Sequence, residues 1–332
     1  MNAARSILFI RTDRVGETVL NLPAVAALDA AWPDASITML VHPALEPLVS
    51  RAVGVDRVLE APADPAPWWT QAGQLHRLVR PHRFDVAIVS NPTKAAHVAV
   101  WCAGIPQRVG YARKWGRWLL THRLEDRKAL GDRHEVEYNL DLVRALGVPP
   151  AISPNLFPPL ARELDDVRRV LAGQGLGPSQ PFIAVHPWTS NAAKQWPLER
   201  FSALIERIAG PLGMPVVVIG QPEGGSPTHQ TFWGGGRSVI DLIGRLSLPQ
   251  LAALLQGARL LVSNDSGPVH VAAAVGTRTV VLFGASHPGA GSRRWGPWGA
   301  GHIVLDAPSM EAISVEDAFA AVQRAVRDGP TT

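Results

Sequence analysis

The sequence predicts an α/β protein made of two Rossmann-like parallel-sheet domains facing each other across a cleft. Three observations carry this. Short apolar, β-branched runs alternate with longer stretches of helical period, the pattern of parallel strands joined by crossover helices. The alternation is interrupted once, at residues 147–159, where thirteen positions hold five prolines, and then restarts. A length of 332 residues is also two domains' worth at roughly 100–200 residues each.

In the first half, the apolar runs at 7–11, 36–41, 57–61, 85–90 and 108–111 are the predicted strands. The intervening stretches 17–31, 44–52, 68–79 and 94–103 are predicted helices, followed by a longer helix at 134–146. The proline-rich segment then reads as a stiffened linker. After it come a helix at 161–173, a strand at 182–186, a helix at 197–208 and a strand at 215–219. A helix at 249–256, a strand at 260–263, a helix at 267–275 and a strand at 279–283 follow, and an amphipathic helix at 315–326 closes the chain. The predicted domains are residues 1–150, a linker at 151–159, a second domain at 160–312, and a C-terminal helix at 313–332 that is expected to pack back on the N-terminal domain. Open α/β sheets bind ligands outside the carboxyl ends of their strands, so strand–helix turns with unusual chemistry mark the site.

Composition excludes several classes. Hydrophobic residues at 46% and charged residues at 18%, with Gly 30 and Pro 29, rule out a disordered, collagen-like or coiled-coil chain. A single cysteine, Cys102, forms no internal disulfide and no thiolate metal cluster, so a cytoplasmic protein is expected. The run 7–10 is stopped by Arg11, Asp13 and Arg14, unlike a secretion signal, and no run of about 18 apolar residues is present, so membrane contact is expected to be peripheral. The net charge of +4, the pI of about 9.7, and Trp 11 against Tyr 2 point to an acidic ligand and apolar surfaces.

Three segments carry chemistry. In the first, a buried strand runs into a turn at Gly16 and a helix opening at Glu17. Glycine permits the tight turn, and the first helical turn favours a carboxylate. Glu17 is either a helix-start acid or a general base, and Asp13 in the same loop is the alternative carboxylate. In the second, the strand at 182–186 leads to a polar loop with Thr189, Ser190 and Lys194, hydroxyls and an ammonium that suit a diphosphate. In the third, strand, tight turn and helix follow without slack through Asn264-Asp-Ser-Gly-Pro-Val-His270. That order leaves the amides near Ser266 and Gly267 at a helix N-terminus, a ready anion site, unless Asp265 or Ser266 caps the helix and His270 is a buried first-turn histidine. No Walker loop or paired-histidine spacing is present, so no metal is expected.

Together these segments resemble the lipopolysaccharide heptosyltransferases, glycosyltransferase family 9. The resemblance rests on the first loop, on Lys194-Gln-Trp-Pro-Leu-Glu-Arg-Phe201, and on the span from Asn264 to Ala273 with Phe283-Gly284. The late motif is the most specific, and the likeness runs from Ile7 to about Trp298. Where the family has Gly-Asp, this chain has Gly16-Glu17, the same carboxylate one methylene further out. The resemblance implies a GT-B fold and inverting transfer of a heptose from ADP-heptose to the inner core of lipopolysaccharide, onto Kdo or heptose, with no cofactor or metal. It implies Glu17 as general base; Thr189, Ser190, Lys194, Ser266 and Gly267 on the diphosphate; Asp265 and His270 near the donor; and Glu223 on the ribose. The alternatives are a related transferase or epimerase using another nucleotide-sugar, or a catalytically impaired nucleotide-sugar binder.

The acceptor is expected at the N-terminal half. Residues 108–128 hold seven basic and two acidic side chains, a local +5, with Arg113, Lys114 and Arg117 as candidate ligands and Arg11 as a second site for an acceptor carboxylate. Such a stretch suits an anionic glycolipid of the Kdo–lipid A type at the inner membrane surface, and nucleic acid is not expected as a partner.

Overall fold

A computed structural model of the chain describes residues 6–112, 116–149, 156–221, 238–284 and 287–328. It divides into two compact units, Met1–Pro158 and Pro159–Thr332, so the boundary falls inside the predicted linker.

In the first unit, strands β1 (Ser6–Ile10), β2 (Ser36–Val41), β3 (Arg57–Glu60), β4 (Val86–Val89), β5 (Gln107–Ala112) and β6 (His122–Glu125) form one parallel sheet in the order β3-β2-β1-β4-β5-β6. Its helices are α1 (Val15–Val19), α2 (Leu22–Ala31), α3 (Glu46–Val49), α4 (Trp68–Val79), α5 (Lys94–Cys102) and α6 (Glu135–Arg144). The predicted helix at 17–31 is thus two. Pro23 has no N–H to continue a helix and instead enters the first turn of α2, while Asn21 Nδ2 donates to the Glu17 carbonyl oxygen (2.6 Å) where α1 ends. One face of the sheet is covered by α4 and α5, whose Leu75, Val79, Ala96 and Val100 pack on Leu8, Ile10 and Val89.

The second unit repeats the design with β7 (Ile183–His186), β8 (Val216–Val218), β9 (Val239–Asp241), β10 (Leu260–Asn264), β11 (Thr279–Phe283) and β12 (Ile303–Asp306), in the order β12-β11-β10-β7-β8-β9. Its helices are α7 (Ala161–Gly173), α8 (Leu198–Ala209), α9 (Leu248–Gly257), α10 (Gly267–Ala274), α11 (Ser292–Trp295) and α12 (Val315–Arg327). Contrary to expectation, α12 packs on this unit's own sheet. Its Ala318, Ala321, Val322 and Ala325 are buried in one core with Val262, Val280 and Leu282 and with Leu204 and Ile208 of α8. Small residues at i, i+3, i+4 and i+7 make a stripe flat enough to lie directly on the strands.

Each sheet winds outward in both directions from a central pair, β1/β4 and β7/β10. Those pairs are the topological switch points, where successive connections leave on opposite faces and open a crevice at the strand carboxyl ends. The chemistry-bearing segments of the sequence follow β1, β7 and β10.

Candidate functional site

At the switch point of the first unit, β1 delivers Arg11, Asp13 and Glu17 in one turn. Arg11 is buried, and its Nε donates to Asp13 Oδ1 (2.6 Å) while its Nη1 reaches Ser90 Oγ (3.3 Å) and stands 3.8 Å from Glu135 Oε1. Lys128, also buried, donates to the same Glu135 oxygen (2.6 Å) and lies 4.6 Å from the Tyr111 ring centre. Two cations and two carboxylates thus neutralise each other under the loop, the arrangement that makes buried charge tolerable. The Arg11 guanidinium, expected at the acceptor, is here turned to Asp13, Ser90 and Glu135 inside the unit. Asp13 is likewise spent on Arg11. The Glu17 side chain, half-buried in the first turn of α1, makes no hydrogen bond or ion pair with a described residue, so its carboxylate lone pairs are available.

The basic stretch is also less uniform than its charge count. Arg108 turns inward, with Nε donating to the Leu119 carbonyl oxygen (2.7 Å), and Lys128 belongs to the buried cluster. Arg117 is exposed beside Trp118, and Arg113 and Lys114 lie outside the described residues.

In the second unit the middle and late segments meet. The Lys194 ammonium forms an ion pair with Asp265 Oδ2. Burial pushes the Asp265 carboxyl above its ordinary value and the neighbouring ammonium pulls it back. Thr189 Oγ1 donates to the Asp265 carbonyl oxygen (3.4 Å), and Ser190 is exposed in the same loop. Asn264 fastens this loop to β10: its Oδ1 accepts from the Trp196 amide (3.1 Å) and its Nδ2 donates to the Pro187 carbonyl oxygen (2.8 Å). Trp196 and Phe201, edge to face at 4.9 Å, are fully buried, so the aromatic residues of this motif anchor the loop and contact no ligand.

Ser266 is the N-cap of α10 in position, yet its side chain makes no capping bond. It turns instead to His186 Nδ1 (3.2 Å) and Ser263 Oγ (2.9 Å). The capping alternative is therefore excluded for Ser266; Pro268 has no N–H and the Val269 amide donates to the Ser266 carbonyl oxygen (3.1 Å), so the Gly267 amide is the one left without a side-chain acceptor at the positive end of the helix dipole. Burial lowers His186 to a pKa of about 4, so its ring is neutral near pH 7 and exchanges hydrogen bonds, not charge, with the two serines. His270 is buried in the first turn of α10, and Glu223 lies outside the described residues. Trp188 seats its ring against Gly220, where a Cβ would fall 2.6 Å from Cε3, so the absence of a side chain there is required.

Sequence reasoning missed Glu135, Ser90, His186 and Ser263, which the pairs Arg11–Glu135, Arg11–Ser90 and His186–Ser263 bring in across 77 or more residues. Among the described residues no cluster of His, Cys, Asp or Glu is arranged to hold a metal, and no helix is long and apolar enough to cross a membrane.

Two doubly wound parallel sheets of six strands each are the architecture of the GT-B glycosyltransferases. The glycosyltransferase family 9 protein of Veillonella parvula is similar at a TM-score of 0.87, with 22% identity and 99% of each chain covered. The E. coli heptosyltransferase WaaC, solved with ADP, is similar at 0.73, with 19% identity over 96% of this chain and 99% of that one. Lipopolysaccharide heptosyltransferase 2 of E. coli K12 is 28% identical over 85% of this chain and 83% of its own length. The model of glycosyltransferase family 9 (heptosyltransferase) matches residues 72–318, and the chain belongs to that family.

Proposed function

We propose that this chain transfers a heptose from ADP-heptose to the inner core of lipopolysaccharide, onto Kdo or heptose, with inversion at the anomeric carbon. The observation that carries the donor half is the pairing of Lys194 with the uncapped N-terminus of α10, joined through Asp265. On this reading the diphosphate takes the place of Asp265 as the partner of Lys194 and accepts hydrogen bonds from the amides of Ser266 and Gly267. Thr189 and Ser190 add hydroxyl donors, Asp265 turns to donor hydroxyls, and Glu223 takes the ribose. Fixed positive charge is then in place before the diphosphate leaves.

Glu17 is the proposed general base. Its carboxylate removes the proton of the acceptor hydroxyl as that oxygen attacks the anomeric carbon. The bond from that carbon to the β-phosphate oxygen breaks, and ADP departs with the electron pair. Asp13 is the weaker candidate because Arg11 already occupies it. The acceptor's anionic groups are assigned to Arg113, Lys114 and Arg117, at the cytoplasmic face of the inner membrane.

Incubation of the purified chain with ADP-heptose and a truncated core acceptor should release ADP and yield a product heavier by one heptose. ADP-heptose that binds but is never turned over with Kdo- or heptose-terminated acceptors contradicts the reading.

A further inference from the structure

Six large apolar side chains are exposed among the described residues, and four are tryptophans of the first unit: Trp68, Trp69, Trp101 and Trp118, at 43, 62, 53 and 71%. Scattered exposed apolar residues need no explanation, but these are grouped. Trp68 and Trp69 open α4 and stand edge to face at 5.9 Å. Lys94, the first residue of α5, lies 5.7 Å from the Trp68 ring centre, so the two helices bring their N-terminal ends together. From Lys94, the i+4 and i+7 positions of α5 are Val98 and Trp101, a single stripe about 10 Å long. Exposed on α4 and at its C-cap are Trp69, Gly73, Arg77 and Arg80, with the aromatic at the N-terminal end and the cations at the C-terminal end, the reverse of the order from Lys94 to Trp101 on α5. The turn Arg117–Leu119 packs on α5 and puts Trp118 between Arg117 (5.1 Å) and Arg123 (5.4 Å).

Charge reinforces the grouping. Between Asp64 and Glu125 the sequence holds nine Lys and Arg against one acid, Asp85; Arg108 turns inward and Arg113 and Lys114 lie outside the described residues, which leaves six exposed cations, Arg77, Arg80, Arg83, Lys94, Arg117 and Arg123. Asp85 Oδ2 accepts from the Ser6 amide (3.0 Å) at the base of β1. Neither α4 nor α5 contains an acidic residue.

Exposed tryptophans with Lys and Arg at their rims match the chemistry of a bilayer interface, where the rings lie at headgroup depth and the cations meet phosphates. We propose that the outer face of α4 and α5 docks on an anionic phospholipid bilayer, without the aid of donor or acceptor. The docking deepens the proposed function, resting on it only in that a membrane-borne acceptor gives the contact its use.

The test uses the full chain and vesicles free of lipopolysaccharide and of any sugar acceptor: phosphatidylcholine alone, and phosphatidylcholine with about 30 mol% phosphatidylglycerol. Flotation should show at least about tenfold tighter binding to the anionic vesicles, weakening with salt. The lone Cys102, exposed beside Trp101, takes an environment-sensitive dye whose emission should shift to the blue on binding. Trp69→Ala with Trp101→Ala should weaken binding about tenfold or more, and Arg77→Gln with Arg80→Gln about fivefold per cation. Both variants should retain native circular dichroism and full turnover of a soluble truncated acceptor. If the tryptophan variant is misfolded, the arginine variant alone decides. Equal partitioning of wild type and folded variants, equal binding to neutral and anionic vesicles, or tighter binding to an oligonucleotide than to vesicles at about 0.15 M salt overturns the proposal. Because the vesicles contain no acceptor, failure of heptosyl transfer leaves a positive result standing, and normal transfer without vesicle binding refutes the docking alone.

Discussion

Replacing Lys194 by methionine removes the cation that stands against Asp265, and the two partners do not suffer equally. The Asp265 side chain is 9% exposed and that of Lys194 is 29% exposed, so a lone Lys194 reaches water while a lone Asp265 does not. Breaking a fully buried ion pair costs about 3–5 kcal/mol, and with one partner partly solvated about 1–3 kcal/mol is expected for Lys194→Met. Asp265→Asn should cost under about 1 kcal/mol, because no charge is stranded. The double variant should then lie near Asp265→Asn alone, a coupling of about 1–3 kcal/mol. The pH dependence has a definite sign. Burial raises the Asp265 carboxyl from 3.8, so the folded chain holds that proton more tightly than the unfolded chain. Its stability contribution is complete below the ordinary carboxylate value and is lost as pH rises through the raised one. Lys194→Met enlarges the shift, so its deficit should be full near pH 8 and smaller near about pH 5. Urea denaturation of the wild type and three variants at those two pH values measures this directly. An additive cycle, or the same deficit at both values, refutes the reasoning. The variant should also bind ADP about 10- to 100-fold more weakly, having lost one charge-assisted contact.

Other expectations follow from the same geometry. The folded-state pKa of His186, about 4 against 6.5, implies stability present above pH 6.5 and lost as pH falls through 4, by up to about 3 kcal/mol. A plot of urea midpoint against pH should be flatter over that window for His186→Gln, and parallel plots contradict the assignment. Glu135→Ala strands Lys128 and leaves Arg11 to Asp13 alone, so a loss of about 3–5 kcal/mol is expected by denaturation, whereas a loss under about 1 kcal/mol shows that the cluster does not support the loop. Asn264→Ala removes two hydrogen bonds that hold the Lys194 loop, which should cost about 1–3 kcal/mol and weaken ADP binding about tenfold by calorimetry. Unchanged ADP affinity separates the loop from the donor site.

Most of the fold was legible because buried parallel strands are continuous apolar runs. The strands that escaped were β6, β9 and β12, edge or near-edge segments of three or four residues with His, Arg or Asp among them, in which the two-residue period has no length to show itself. The split between α1 and α2 was written in Pro23 but hidden by apolar residues that suit one long helix equally well. Lys194, Asp265 and Ser266 were legible because each follows a strand end, where chemistry collects. The Arg11–Glu135–Lys128 cluster was not, because charge on a sequence carries no sign of burial: Lys128 counted toward a solvated basic stretch and Arg11 toward an acceptor site until their partners were in place. The tryptophans show the same limit, Trp196 being fully buried and Trp118 largely exposed.

The central claim is that Glu17 performs the base chemistry of heptosyl transfer where the resembled family has aspartate. Steady-state release of ADP from ADP-heptose with a truncated core acceptor, compared between wild type and Glu17→Gln, tests it most directly. The account predicts a fall in kcat of roughly 100-fold or more with ADP affinity unchanged, since a positioned base contributes about 10²–10⁴ and the proposed donor residues all belong to the second unit. Turnover in Glu17→Gln equal to that of the wild type contradicts it.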